Sequence, residues 1–134
     1  MKNILYLAAL FLLLLAAKCE KGPTYELGQS FQLMPEQSAV CNCKDKLEVQ
    51  FVGVKEDSRC PKNVNCVWAG QVIVELLADG QTMELALGSR EKGKSSQVVK
   101  GYTIELKKVA PYPEDSNNIA PEDYSVELVV SGQP

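Results

Sequence analysis

The sequence predicts an all-β domain, and three observations support that prediction. Apolar residues alternate with polar ones in several short runs, which is the period of a half-buried strand and not of a helix. Turn-forming residues such as the dipeptide Asp79-Gly80 separate the runs. The chain of 134 residues is long enough for one domain with its own core. We therefore expect a single immunoglobulin-like β-sandwich of about seven strands, with a small barrel as the alternative.

The strands are predicted from the alternating runs in chain order. Five regions show the alternation: 25–34, 47–51, 72–77, 102–107 and 126–130. The run at 72–77 is apolar on both faces, which is typical of a strand covered on both sides. Asp79-Gly80 predicts a hairpin between Val72–Ala78 and Thr82–Leu87.

Two loops are predicted between the later strands. Residues 88–96 are charged and rich in glycine and serine, which indicates a solvated hairpin tip. Residues 110–123 contain three prolines and four acidic side chains and join the last two strands. A connection of that length is usually functional, or crosses between sheets.

The N-terminus has the pattern of a signal peptide. Lys2 provides the positive charge, and the uncharged apolar run Ile4–Ala17 is shorter than the roughly 20 residues of a membrane-spanning helix. We expect residues 1–18 to be removed on export. Residues 19–24 would then form a tether, and residues 25–134 the folded domain.

The five cysteines suggest how the chain is anchored. Cys19 follows Leu-Ala-Ala-Lys, which resembles the lipobox of bacterial lipoproteins, although Leu15 lies four residues before it and Lys18 occupies the cleavage position. The resemblance implies acylation of Cys19 and attachment to a membrane of the cell envelope. The outer membrane is the expected one, on its periplasmic or surface face. Lipidation would leave an even set of four cysteines. The alternative is ordinary secretion, with Cys19 a free thiol or an intermolecular pair.

A second motif surrounds Cys60 and Cys66. Their spacing in an exported protein predicts a local disulfide that pins a loop. Residues 57–70 read DSRCPKNVNCVWAG and resemble the DSRCP…CxWxG motif of a group of small, uncharacterised bacterial secreted proteins and lipoproteins. The resemblance covers most of residues 47–131 and implies no particular activity. It also includes three later landmarks: Gly101-Tyr102, Pro111-Tyr112-Pro113 and Asp123-Tyr124.

Several side chains of this segment have predicted roles. Asp57 can cap a turn, and Arg59 can pair with Asp57 or reach across a loop. Trp68 is expected to enter the next strand and anchor the core. Gly70 predicts a bulge or a close backbone approach. In the binding hypothesis, the disulfide loop and the proline-rich loop present exposed contacts: Arg59, Lys62, Asn63, Asn65, Tyr112 and Tyr124.

Cys41 and Cys43 have no unique interpretation. Two residues apart on an extended strand they lie near the distance limit for a disulfide, so pairing would need a bend. They are either paired or reduced. A thiol-redox or metal-binding protein that uses Cys41 and Cys43 is the alternative function.

Composition narrows the functional classes. The formal net charge is −3, and removal of Lys2 and Lys18 with the signal peptide lowers it by two, to −5. An acidic chain without a basic stripe argues against nucleic acid as a partner. The chain has no histidine, the commonest general base and metal ligand. We therefore expect a non-enzymatic binding protein without cofactor or metal, whose partner is an envelope protein, a glycan or a peptide. An enzyme on the acidic loop would need a carboxyl group with a raised pKa.

Overall fold

The computed structural model describes residues 22–88, 94–116 and 118–132, and its fold is a β-sandwich. One sheet has five strands in the order β1-β3-β4-β5-β6, and the other has four in the order β2-β9-β8-β7. The two sheets pack on each other as separate layers, which confirms the sandwich over the closed barrel. The strands are β1 Thr24–Tyr25, β2 Ser30–Leu33, β3 Ser38–Cys41, β4 Glu48–Asp57, β5 Gln71–Ala78, β6 Gln81–Gly88, β7 Ser96–Val99, β8 Tyr102–Ala110 and β9 Ser125–Gly132.

The core lies between the sheets and follows the predicted alternation. Val72, Val74 and Leu76 on β5 are at most 1% exposed, whereas the residues between them on the outer face are only half-buried, so the expectation that this strand is covered on both sides is wrong. The β5–β6 hairpin turns at Asp79 and Gly80, whose φ angles of 48° and 82° are those of a two-residue type I′ turn. Local alternation and turn chemistry therefore determine this part of the fold.

Two long connections leave the sandwich at the same end. The β4–β5 connection starts where Asp57 pairs with Val72, and the β8–β9 connection starts where Ala110 pairs with Ser125. Since β8 and β9 are neighbours in one sheet, the proline-rich loop does not cross between sheets. We call this end, with residues 58–70 and 111–124, the ring end.

The opposite end, which we call the far end, carries the other cysteine pair. The short connection between β3 and β4 holds Cys43, and the Asp79-Gly80 turn lies beside it, where the Asp79 amide donates to the Glu48 carbonyl at 2.9 Å. The Tyr102 hydroxyl donates to Asp45 there at 2.6 Å. Each end therefore contains one of the two Cys pairs.

Several predictions concern residues outside those that the structure describes. The signal peptide, Cys19 and the first part of the tether belong to residues 1–21, and part of the 88–96 loop belongs to residues 89–93. The strands on either side of this loop, β6 and β7, lie in different sheets, so the expectation that it is a hairpin tip is wrong. None of the described residues forms a helix of the length and apolarity that crossing a membrane needs.

Candidate functional site

The predicted Cys60–Cys66 disulfide forms the centre of the ring end. The two Cα atoms are 5.9 Å apart, and the bond closes a seven-residue loop between β4 and β5. This loop rests on the proline-rich loop through backbone hydrogen bonds. The amide of Lys62 donates to the Pro113 carbonyl at 3.1 Å, and the amide of Asn63 donates to the Glu114 carbonyl at 3.0 Å. The two segments that the sequence identified separately are therefore one structural unit.

Arg59 joins that unit to the sandwich. Its guanidinium donates to both carboxylate oxygens of Asp57, at 2.8 Å from Nε and 2.6 Å from Nη2. It also donates to the carbonyls of Val109 at 2.8 Å and Pro111 at 2.9 Å. The side chains of Arg59 and Asp57 are each only 9% exposed. A bidentate pair that is also bonded to backbone carbonyls meets the conditions under which a buried ion pair is well compensated.

Tyr124 adds a third side chain to the Asp57–Arg59 network, on its buried side. It is 6% exposed, and its hydroxyl donates to Oδ2 of Asp57 at 3.0 Å. Burial opposes ionisation of Asp57, but the hydrogen bonds and charge of Arg59, with the Tyr124 hydroxyl, hold the pKa of Asp57 below its ordinary value. Burial, together with the bond to Asp57, raises the pKa of Tyr124 to about 12. Asp57 is thus an ionised structural acceptor.

Tyr112 covers the network from outside. Its ring lies 5.0 Å from the Arg59 guanidinium carbon, and its hydroxyl donates to the Cys60 carbonyl at 2.9 Å. A guanidinium over an aromatic face is attracted by the ring quadrupole. Tyr112 is still 44% exposed. It therefore belongs both to the network and to the surface.

Trp68 is not a core residue, and the prediction that it anchors the core is wrong. It is 74% exposed, its neighbour Val67 is 91% exposed, and Val64 is 44% exposed. The strand β5 begins only at Gln71, so Trp68 lies beyond the end of the sheet. Gly70 explains the late start: a Cβ on it would lie 1.5 Å from the Ser58 carbonyl oxygen, which confirms the predicted close approach. We call Val64, Val67 and Trp68 the apolar tip.

The predicted contact residues divide between interior and surface. Arg59 and Tyr124 point inward, because both bond to Asp57, so the expectation that they are exposed is wrong. Lys62 and Asn63 are exposed beside the apolar tip, as predicted, and so is Asn65. Sequence reasoning missed Val64 and Val67. The sequence did contain a signal for the exposure of Val67. The Cys60–Cys66 bond and Gly70 fix the two ends of the segment 67–69, which is too short to reach the core.

A polar cavity of about 300 Å³ lies between β4 and the proline-rich loop. Among its lining residues are three carboxylates, those of Glu56, Asp57 and Asp115, and the hydroxyl-bearing Tyr124. A raised carboxyl pKa was the signature expected of an acid–base catalyst. The pKa of Asp57 is shifted in the opposite direction, because Arg59 neutralises it.

Cys41 and Cys43 are bonded to each other, which resolves the two possibilities that the sequence left open. Their Cα atoms are 5.2 Å apart, and the chain bends after β3 ends at Cys41. Within the described residues, no group of three or more side chains is arranged to hold a metal ion. Two disulfides in one small domain indicate an oxidising, extracytoplasmic compartment.

The ring end thus combines two parts. One is the buried, hydrogen-bonded network of Asp57, Arg59 and Tyr124, which we call the base, and the other is the exposed apolar tip. Comparisons with protein-family models, curated proteins and solved structures found no match. Function must therefore be inferred from the geometry, and the apolar tip is the part of the ring end that the packing of the sandwich does not explain.

Proposed function

We propose that the protein is an exported, lipid-anchored, non-enzymatic binding protein of the bacterial cell envelope, and that it contacts an envelope protein through the apolar tip. The observation that carries the proposal is the exposure of Trp68 and Val67, 74% and 91%, directly after a loop closed by a disulfide. Contiguous exposed apolar side chains with polar neighbours are typical of interaction sites.

The base of the loop supports this function by holding the tip in one arrangement. A disulfide, four hydrogen bonds from the Arg59 side chain and two backbone bonds to the proline-rich loop fix residues 59–66, directly before Val67 and Trp68. The close approach of Gly70 to the Ser58 backbone fixes the chain directly after them. A contact surface that is ordered before binding loses less conformational freedom when it binds. Tryptophan is also the residue type most enriched among energetically dominant interface residues. Lys62 and Asn63 would then form the polar rim.

The anchor is proposed from the cysteine arithmetic. The disulfides Cys41–Cys43 and Cys60–Cys66 use four of the five cysteines and leave Cys19 for acylation. Two or more acyl chains give stable attachment where a single chain is marginal. Intact-mass analysis of protein extracted from membranes tests this. We expect loss of residues 1–18, added acyl mass on Cys19 and two disulfides; an unacylated Cys19 would contradict the anchor.

Site-specific photo-crosslinking in the producing cell tests the binding role. A photo-reactive amino acid at position 68 should give a discrete crosslinked product that mass spectrometry can identify. The matched control is the same amino acid at Lys44, which is also exposed to solvent but lies at the far end. A product specific to position 68 supports the proposal. Equal labelling at both positions, or none at 68, contradicts it.

A glycan or a peptide would give a different product in the same experiment. A glycan adduct would lack a second polypeptide, and a short peptide would add only a small mass. Either result would retain the binding role of the apolar tip and replace the envelope protein as the partner.

A further inference from the structure

A second concave surface lies beside the apolar tip, between the end of β6 and β8. This groove has a volume of about 280 Å³. Val72 and Val109 line its floor and are 1% and 4% exposed, whereas its accessible apolar walls are the half-buried Leu87 and the exposed Tyr112, on the side of the proline-rich loop. The volume is close to the lower limit of pockets that hold small ligands, about 300 Å³.

Two glycines give the groove its shape. Gly70 and Gly88 both line it. A Cβ on Gly88 would lie 2.5 Å from the Gly70 carbonyl oxygen, and the φ of Gly88, 141°, is one that other residues rarely adopt. The two backbones can therefore approach closely, and this part of the groove wall has no side chain that would fill it.

The charge at the groove is supplied by an irregularity in β8. Consecutive side chains of a strand normally point to opposite faces. The register shifts between Leu106, opposite Leu128, and Lys108, opposite Glu127, so that Lys107 is the extra residue of a bulge. Lys107 and Lys108 consequently both line the groove and are both exposed. Bulges commonly re-aim side chains in this way next to functional sites.

The two lysines differ in their partners. Lys107 pairs with Glu105 at 2.7 Å. Lys108 has no carboxylate within ion-pair distance among the residues that the structure describes. The Arg59 guanidinium also lines the groove but is neutralised by Asp57. Among the described residues that line the groove, Lys108 is therefore the one cation without an ion-pair partner, although Glu127 lies opposite it in the ladder.

We propose that this groove binds a small amphipathic monocarboxylate, whose aryl or alkyl part lies between Leu87 and Tyr112, over the buried Val72 and Val109, and whose carboxylate faces Lys108. Apolar walls with a few convergent polar groups are the usual composition of small-ligand sites. The Lys108 ammonium group at the edge of the groove attracts the carboxylate of the ligand. This site goes beyond the binding role of the apolar tip and does not depend on it.

Calorimetric titration of the exported protein with 4-phenylbutyrate tests the proposal, in detergent-free nanodiscs when the protein carries lipid. Saturable one-site binding is expected, and added salt should weaken it because the charges are exposed. The neutral 4-phenylbutanol should bind about tenfold more weakly, since it lacks the charge. Absence of saturable binding, or equal affinity for the alcohol, would overturn the proposal.

Three variants locate the site. Lys108→Glu should weaken phenylbutyrate about tenfold and leave phenylbutanol unchanged, because it reverses the charge at the edge of the groove. Leu87→Ala should weaken both ligands, because it removes part of an apolar wall. Lys44→Glu at the far end makes the same charge change and should have no effect. Equal affinity of Lys108→Glu and the unaltered protein for phenylbutyrate would place the ligand elsewhere and overturn the assignment.

Discussion

The Asp57–Arg59 pair, which forms the base of the β4–β5 connection, and the apolar tip of the same connection differ sharply although they lie within a dozen residues of each other. In the base, Asp57 and Arg59 are 9% exposed at the side chain and make several hydrogen bonds. In the apolar tip, Val67 is 91% and Trp68 74% exposed. This segment therefore buries the Asp57–Arg59 ion pair and exposes its largest apolar side chain, the reverse of the usual distribution.

This contrast suggests that the base stabilises the fold and that the apolar tip binds the partner. Substitutions in the base should lower the free energy of unfolding. Substitutions in the tip should leave the fold intact, because those side chains bury little surface in the free protein. The predictions below test that division, beginning with the largest expected change.

Arg59→Ala should lower the free energy of unfolding by about 3 kcal/mol or more, because it leaves the buried carboxylate of Asp57 without its charged partner. Urea denaturation at pH 7 measures this change. Lys62→Ala is the matched control: the Lys62–Glu114 pair is 3.5 Å long and its side chains are 58% and 75% exposed. Its loss should cost about 0.5 kcal/mol or less. Similar losses in the two variants would mean that the base is not the stabilising element.

Removal of the Cys60–Cys66 bond by Cys60→Ser and Cys66→Ser should cost about 2 kcal/mol, the value that chain entropy gives for a loop of this length. The doubly substituted protein should also lose most of the crosslinking at position 68, because the tip is no longer held. Denaturation and crosslinking are measured on the same preparation. Unchanged crosslinking would show that the disulfide does not organise the tip for binding.

Tyr124→Phe should cost about 1 kcal/mol at neutral pH, because it removes one hydrogen bond to the carboxylate of Asp57. Its pH dependence has a definite sign. The pKa of Tyr124 is raised from 10.0 to about 12 in the folded protein, so the stabilisation is complete below pH 10 and is lost as pH rises towards 12. Alkaline denaturation should therefore differ between the two proteins in that window. If the free energy of unfolding depended on pH in the same way in both proteins, this would contradict the buried position of the Tyr124 hydroxyl.

Asp57 gives the opposite pH dependence in acid. Because its pKa is lowered by folding, its contribution is complete above the ordinary carboxyl pKa, about 4, and is lost as pH falls through the folded value. The unaltered protein should lose stability below pH 4 more steeply than Asp57→Asn, whose amide does not titrate. Equal slopes in acid denaturation would exclude this role of Asp57.

Trp68→Ala should have the smallest effect on the fold, within about 0.5 kcal/mol, because its side chain is 74% exposed and lies outside the core. Its thermal midpoint should match that of the unaltered protein. A loss comparable to that of Arg59→Ala would mean that Trp68 is part of the core.

The sequence allowed prediction of what depends on local pattern. Alternation identified the core faces of β5 and β9, and Asp79-Gly80 identified the hairpin, because each depends only on neighbouring residues. The pairing of Arg59 with Asp57 and its reach across a loop were both anticipated, and both occur at once.

The environment of Trp68 could not be read from neighbouring residues. Its burial depends on where β5 begins, and that point is fixed by the contact of Gly70 with the Ser58 carbonyl oxygen, 12 residues away. The meeting of the disulfide loop with the proline-rich loop was equally hidden. It follows from topology, since the β4–β5 and β8–β9 connections emerge at the same end of the two sheets.

The exposure of Trp68 in the isolated protein is the most direct test of the central claim, that the tip is a surface left open for a partner. Trp68 is the single tryptophan of the chain, so its fluorescence reports on this site alone. In the folded protein, acrylamide should quench it at about three quarters of the rate found after unfolding in urea, in line with its 74% exposure. Blue-shifted emission that becomes accessible to acrylamide only on unfolding would contradict the claim.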